Sequence, residues 1–268
     1  MTEADRPGAD LPVAGPFAGP VPVLLVHGIR TSATMWRHQL EWLEAAGHPV
    51  LAIDLPGHGA RLGEPFTAAA ALAAIDAGVD ALGGTALLVG LSLGGYWSIA
   101  YAALHPEKVI ALVAAGSSFQ PSGPGLAGYR LLARSIRRLP DRGLALHTVL
   151  VRRMLPEPGA TDVLAGGVAL DVMDAGLGAT GTLTPVADLR RYPGRVWLVN
   201  GAFDHFRLHQ KRFLTAARHG TLVIVPRASH LVSLHQPDRF DRVLRRIITL
   251  VEGDPALPAS KSVGGEPR

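Results

Sequence analysis

The chain has 268 residues, 48% of them hydrophobic and 18% charged, a balance that supports one large buried core and excludes global disorder. The net charge of +4 comes without an aromatic-interleaved basic array, so no nucleic-acid partner is expected. There is no cysteine, which excludes disulfides, thiolate catalysis and cysteine-based zinc sites.

Residues 1–20 are rich in Pro, Gly, Ala and Asp and read as a flexible tail. They hold acidic residues and no apolar stretch of the kind a secretory leader needs, and the apolar runs further on are far too short for a membrane span, so a cytoplasmic location is the expectation. Residues 21–26 form an apolar run ending at His27-Gly28 and read as a buried strand. A helix is predicted over 35–46, where Trp36, Leu40 and Leu43 repeat at helical spacing. A strand over 50–54 closes in the turn 55–59, and an alanine-rich helix over 67–82 stops at Gly83-Gly84. Then come a strand over 85–89, a helix over 94–104 and a strand over 108–115. The next strands, 195–199 and 222–225, follow only after a long delay; a helix is predicted between them over 206–218, another over 237–252, and residues 253–268 read as a second tail.

Continuous apolar strands, each followed by a helix, imply an α/β fold with a mostly parallel sheet covered on both faces. The core then comprises 21–115 and 191–252. Residues 116–190, with helical pieces over 126–139 and 144–154 broken by Gly and Pro, read as a helical cap inserted into that domain.

Gly90-Leu91-Ser92-Leu93-Gly94 fits G-x-S-x-G and falls between a predicted strand and a predicted helix, the setting that motif needs. A serine on such a turn projects its hydroxyl from the sheet edge, and the helix start behind it offers free N–H groups and a positive dipole end to a developing oxyanion. A serine hydroxyl needs a base, and 11 histidines compete for that role. His230 is singled out by position: it lies in the loop after the last apolar strand, at the same carboxyl edge as Ser92. Asp204 stands at the end of the preceding strand, placed to orient the imidazole, and it is equally suited to cap the helix that follows. The oxyanion donors are expected to be the backbone N–H groups of Leu93 and Ile29.

Arg30, Phe119, Phe203, Phe206 and Leu231 flank the predicted strand ends and are candidates to line a substrate pocket; the phenylalanines are equally suited to pack the cap onto the sheet. The cap carries Arg130, Arg134, Arg137, Arg138, Arg142, Arg152 and Arg153, readable either as an entrance for acidic substrates or as the solvated face of cap helices. His205 and His209 lack a third ligand at metal spacing, so no metal site and no cofactor are expected.

With VLLVHG at 23–28, DLPGHG at 54–59, GLSLGG at 90–95, VNGAFD at 199–204 and PRASH at 226–230, the chain resembles the α/β-hydrolase superfamily over roughly residues 20–252, closest to small esterase-like serine hydrolases with a helical cap. The resemblance implies an eight-stranded, mostly parallel sheet and acyl transfer to water through an acyl-enzyme. The short N-terminal stretch leaves little room for the usual first two strands. Epoxide hydrolases and haloalkane dehalogenases carry an Asp nucleophile where this chain has Ser92. Plant-type hydroxynitrile lyases place a Lys after the catalytic His, where this chain has Leu231. Cofactor-free haloperoxidases look alike at this level. The expected activity is hydrolysis of a small-molecule ester, lactone or thioester; the alternative is a lyase or a ligand-binding protein using the same pocket.

Overall fold

The computed structural model describes residues 19–253 and 263–264. The tails expected at 1–20 and 253–268 therefore lie for the most part outside the described residues. The strands are β1 (Val23–Val26), β2 (Val50–Ile53), β3 (Ala86–Leu91), β4 (Val109–Ala115), β5 (Arg195–Gly201), β6 (His219–Val225) and a two-residue β7 (Val263–Gly264). They form one sheet in the order β2-β1-β3-β4-β5-β6-β7, and every pairing is parallel. The eight strands implied by resemblance are thus seven among the described residues. The last of them falls where a tail is expected: β7 pairs with Leu222 and Val223, using backbone groups that the edge of β6 would otherwise leave open.

Because β1 and β3 are buried on both faces, alternate residues feed two cores. Leu24, Val26 and Leu88 point to one side, where they meet α2 (Ala68–Ala81) and α3 (Leu93–Leu104). Val23, Leu25, Leu87 and Val89 point to the other, against Leu43 of α1 (Arg37–Ala45).

Between β4 and β5 lie five helices: α4 (Pro124–Ile136), α5 (Leu144–Met154), α6 (Gly159–Ala165), α7 (Met173–Thr180) and α8 (Pro185–Arg191). They do not form a separate body. Val151, Ala160 and Val163 join the α1-side core, whereas Val186 and Leu189 of α8 join the α3-side core. Asp162 of α6 is clamped by the Arg37 guanidinium at 2.6 and 3.1 Å, tying the insertion to the start of α1.

The helix predicted over 206–218 is broken in the structure. A 3-10 turn (His205–Arg207) precedes α9 (Gln210–Ala216), and β6 starts at His219. The break is anchored at His209, whose N–H donates to Ser118 O at 3.1 Å and whose ring stacks on Phe119. After β6 come a single turn, α10 (Val232–His235), and α11 (Pro237–Gly253), whose Phe240, Leu244, Ile247 and Ile248 complete the second core. No helix among the described residues is long and apolar enough to cross a membrane.

Candidate active site

The turn from β3 to α3 is built for close backbone approach. Ser92 adopts φ 52°, ψ −114°, a left-handed conformation that an L-residue holds only when its surroundings enforce it. The enforcement is visible: the Ser92 N–H donates to Ala115 O at 2.8 Å, and Ser117 Oγ lies 2.9 Å from both Ser92 O and Ala115 O. A Cβ at Gly94 would fall 2.3 Å from Val26 O, and one at Gly90 2.5 Å from Gly94 O, so only glycine fits either position.

Three side chains from distant parts of the chain meet at this edge. Ser92 Oγ lies 2.9 Å from His230 Nε2, and His230 Nδ1 lies 3.0 Å from Asp204 Oδ1. A carboxylate only accepts, so Nδ1 carries the ring proton and Nε2 is left to accept from the Ser92 hydroxyl. Burial pushes the Asp204 carboxyl pKa up, but the hydrogen bond and charge of His230 and the Phe206 N–H outweigh it and the net shift is downward. Asp204 therefore plays both roles its sequence position allows: it orients His230, and it caps the following turn by accepting from the Phe206 N–H at 2.8 Å. Gly116, at φ 58°, lies flat against the imidazole; a Cβ there would stand 3.1 Å from His230 Cε1 and Nδ1.

On the opposite side of Ser92 lies the loop after β1. A Cβ at Gly28 would sit 3.6 Å from Ser92 Cβ, so the backbone after β1 passes close to Ser92. The N–H of Leu93 is in the first turn of α3, where no intrahelical acceptor exists. The loop is braced by a residue whose role sequence reading does not reveal. His27 donates from Nδ1 to Gly28 O at 2.7 Å and accepts the Leu55 N–H at Nε2 at 3.0 Å, which requires a neutral ring. Burial lowers its pKa to about 4, and burial together with His27 lowers that of the adjoining His58 to about 3.

The pocket candidates separate. The Phe206 ring is 4.6 Å from that of His230, and Phe119 packs edge-on against Phe206 at 5.9 Å. Leu231 is partly buried against the α1-side core. Phe203 is 75% exposed and does not line the site. Its N–H is tied to Ala228 O at 2.9 Å, and with the Asp204 carboxylate turned inward beside it, the Phe203 ring is left facing out. Two further residues, Tyr129 of α4 and Tyr96 of α3, belong to the same wall: Tyr129 stands 6.5 Å from Phe206, and the Tyr96 hydroxyl donates to Phe119 O at 2.8 Å. No group of three or more His, Asp or Glu among the described residues is placed to hold a metal ion. A crevice of about 290 Å³ between β2 and α2, lined by Leu51, Ile53 and Gly78, lies at the sheet edge away from Ser92.

Comparison with known proteins agrees with this architecture. A thermophilic esterase from Thermogutta terrifontis superposes with a TM-score of 0.71 at 25% identity, covering 87% of this chain and 90% of that one. An enol-lactonase from Burkholderia xenovorans LB400 shares the fold with a TM-score of 0.68 at 18% identity, covering 86% and 92%. In sequence, pimeloyl-[acyl-carrier protein] methyl ester esterase of Neisseria meningitidis serogroup B is 43% identical over 91 residues, and the match spans about a third of each protein, 34% of this chain and 34% of that one. Bifunctional epoxide hydrolase 2 of Sus scrofa is 30% identical over 132 residues, 47% of this chain and 24% of that protein. A family model described as alpha/beta hydrolase family matches residues 23–243, and the chain belongs to that family of hydrolases.

Proposed function

We propose that this hydrolase cleaves a carboxylic ester, lactone or thioester of a small molecule through an acyl-enzyme on Ser92. The observation that carries the reading is the 2.9 Å approach of His230 Nε2 to a serine held in a left-handed turn. Ser92 Oγ attacks the acyl carbon as His230 Nε2 takes its proton. The carbonyl oxygen becomes an oxyanion received by the N–H groups of Leu93 and Ile29, each such donor contributing about 2.7–4 kcal/mol in comparable sites. The imidazolium, held by Asp204, then protonates the leaving alcohol or thiol as the tetrahedral carbon collapses to the acyl-enzyme. A water molecule, deprotonated by the same nitrogen, repeats the addition and releases the acid. Helices α4–α7 act as a cap over this site, with Phe119, Phe206 and Tyr129 as its apolar wall.

The test is labelling with a fluorophosphonate, together with a screen of aryl esters, lactones and acyl thioesters. The folded wild type should be labelled and should hydrolyse at least one class; Ser92→Ala should do neither. Absence of labelling in folded wild type would move the assignment to a lyase or a binding protein.

A further inference from the structure

Of the seven arginines in α4, α5 and their connections, five are neutralised. Arg130 and Arg134 both bind Asp174, Arg137 and Arg142 both bind Asp171, and Arg152 faces Glu157. The remaining two, Arg138 and Arg153, are exposed to solvent. The cation that stands apart is Arg30, outside the insertion. It directly follows Ile29, the proposed oxyanion donor, is only partly exposed, and pairs with no carboxylate among the described residues.

Three observations converge on it. Its Nε is buried without a hydrogen-bond partner, although burying a guanidinium donor unpaired is costly. Its backbone is held at φ 64°, a conformation that favours glycine, and a long side chain in such a position marks a place where surroundings impose a geometry. Its electrostatic neighbours are Tyr129 of α4 and His147 of α5, both neutral-side partners. His147 Nε2 is likewise buried without a partner, and burial with the Arg30 charge lowers its pKa to about 4. Tyr129 connects this corner to the reacting groups, through its edge contact with Phe206 and the contact of Phe206 with His230.

We propose that the substrate carries an anionic group, in the simplest case a second carboxylate, that is received by the Arg30 guanidinium with His147 beside it, while its ester carbonyl lies at Ser92. This rests on the ester-hydrolase reading above. A planar guanidinium matches a carboxylate with two parallel hydrogen bonds, so the missing partner of Arg30 is supplied by the substrate instead of by the protein.

The experiment compares kcat/KM for mono-(4-nitrophenyl) glutarate with that for 4-nitrophenyl valerate, its neutral counterpart in length. Arg30→Gly suits the left-handed backbone and is expected to fold; the ratio of charged to neutral ester should fall ten- to hundredfold, and Arg30→Lys should recover part of it. A ratio unchanged in a folded Arg30→Gly that still labels with fluorophosphonate would overturn the proposal. If wild type hydrolyses neither ester, binding decides: glutarate titrated calorimetrically into Ser92→Ala should bind at least tenfold more tightly than into the Ser92→Ala, Arg30→Gly double variant. Equal binding to both would overturn the assignment of Arg30 independently of the reaction.

Discussion

Asp204 meets His230 through Oδ1, at 3.0 Å, and the same oxygen accepts the Phe206 N–H, while Oδ2 is buried without a partner. One oxygen thus fixes both the imidazole and the turn. In Asp204→Asn the shape is retained, but an amide N–H placed against His230 would favour the tautomer with its proton on Nε2, which cannot accept from Ser92. Turnover should fall on the order of ten-thousand-fold, as with the wrong tautomer in serine proteases, with the fold intact. Near-wild-type turnover with an unchanged circular dichroism spectrum would remove Asp204 from the reaction.

Gly94, in the turn after Ser92, and Gly128, in the insertion, should respond oppositely to alanine. At Gly94 a methyl group would meet the Val26 backbone carbonyl at 2.3 Å, and neither β1 nor α3 can yield without moving the core. Gly94→Ala should destabilise by more than about 3 kcal/mol, at the upper end of overpacking effects, or fail to fold. Gly128 lies within α4 with nothing within 4 Å of its added Cβ. Gly128→Ala should therefore stabilise by about 0.5–1 kcal/mol through helix propensity and a less free unfolded chain. Chemical denaturation of both variants checks the contrast.

The meeting of Ser92, Asp204 and His230 was legible because each lies at or shortly after the end of an apolar strand, and parallel strands bring their carboxyl ends to one edge. Strand period and helix stops say nothing, however, of which way a loop side chain faces. Phe203 and Phe206 look alike in sequence, yet a single hydrogen bond to Ala228 turns one outward while the other packs on His230. The interruption at His209 depends on Ser118 and Phe119, ninety residues away in round terms, and local pattern cannot see it. Likewise the seven arginines of the insertion attract notice by number, but the partners of four of them, Asp171 and Asp174, lie on α7 and its approach, and local pattern does not reveal that compensation.

Acid should destabilise the protein through its buried imidazoles. His27 and His58, with pKa values lowered by burial to about 4 and about 3, stay neutral in the folded state well below the ordinary histidine value of 6.5. Between pH 6.5 and about 4 the unfolded chain binds protons that the folded chain refuses. Their contribution is fully present above pH 6.5 and is lost as pH falls towards the folded values, by about 1.4 kcal/mol per pH unit for each such proton. Urea midpoints measured from pH 7 to pH 4 should drop accordingly, and His58→Gln, which cannot take up that proton when unfolded, should show a shallower decline. Equal slopes for the two proteins would exclude His58 as a source.

Tyr96 and Phe119 form a closed pair of hydrogen bonds: the phenol donates to Phe119 O at 2.8 Å and accepts the Phe119 N–H at 3.2 Å. The hydroxyl thus satisfies both backbone groups of one residue on the apolar wall, from a ring that is 6% exposed. Tyr96→Phe keeps the packing of the ring but leaves a donor and an acceptor without partners in a largely dry place, at a cost of about 1–3 kcal/mol each before relaxation. Relaxation would move Phe119 and, through their edge contact, Phe206, which packs on His230, while neither Tyr96 nor Phe119 takes part in the 2.9 Å contact of Ser92 Oγ with His230. The expected outcome is a loss of about 2 kcal/mol in stability with KM raised several-fold and kcat less affected. A kcat loss larger than the KM change would place the pair in control of Ser92 instead of the proposed substrate wall.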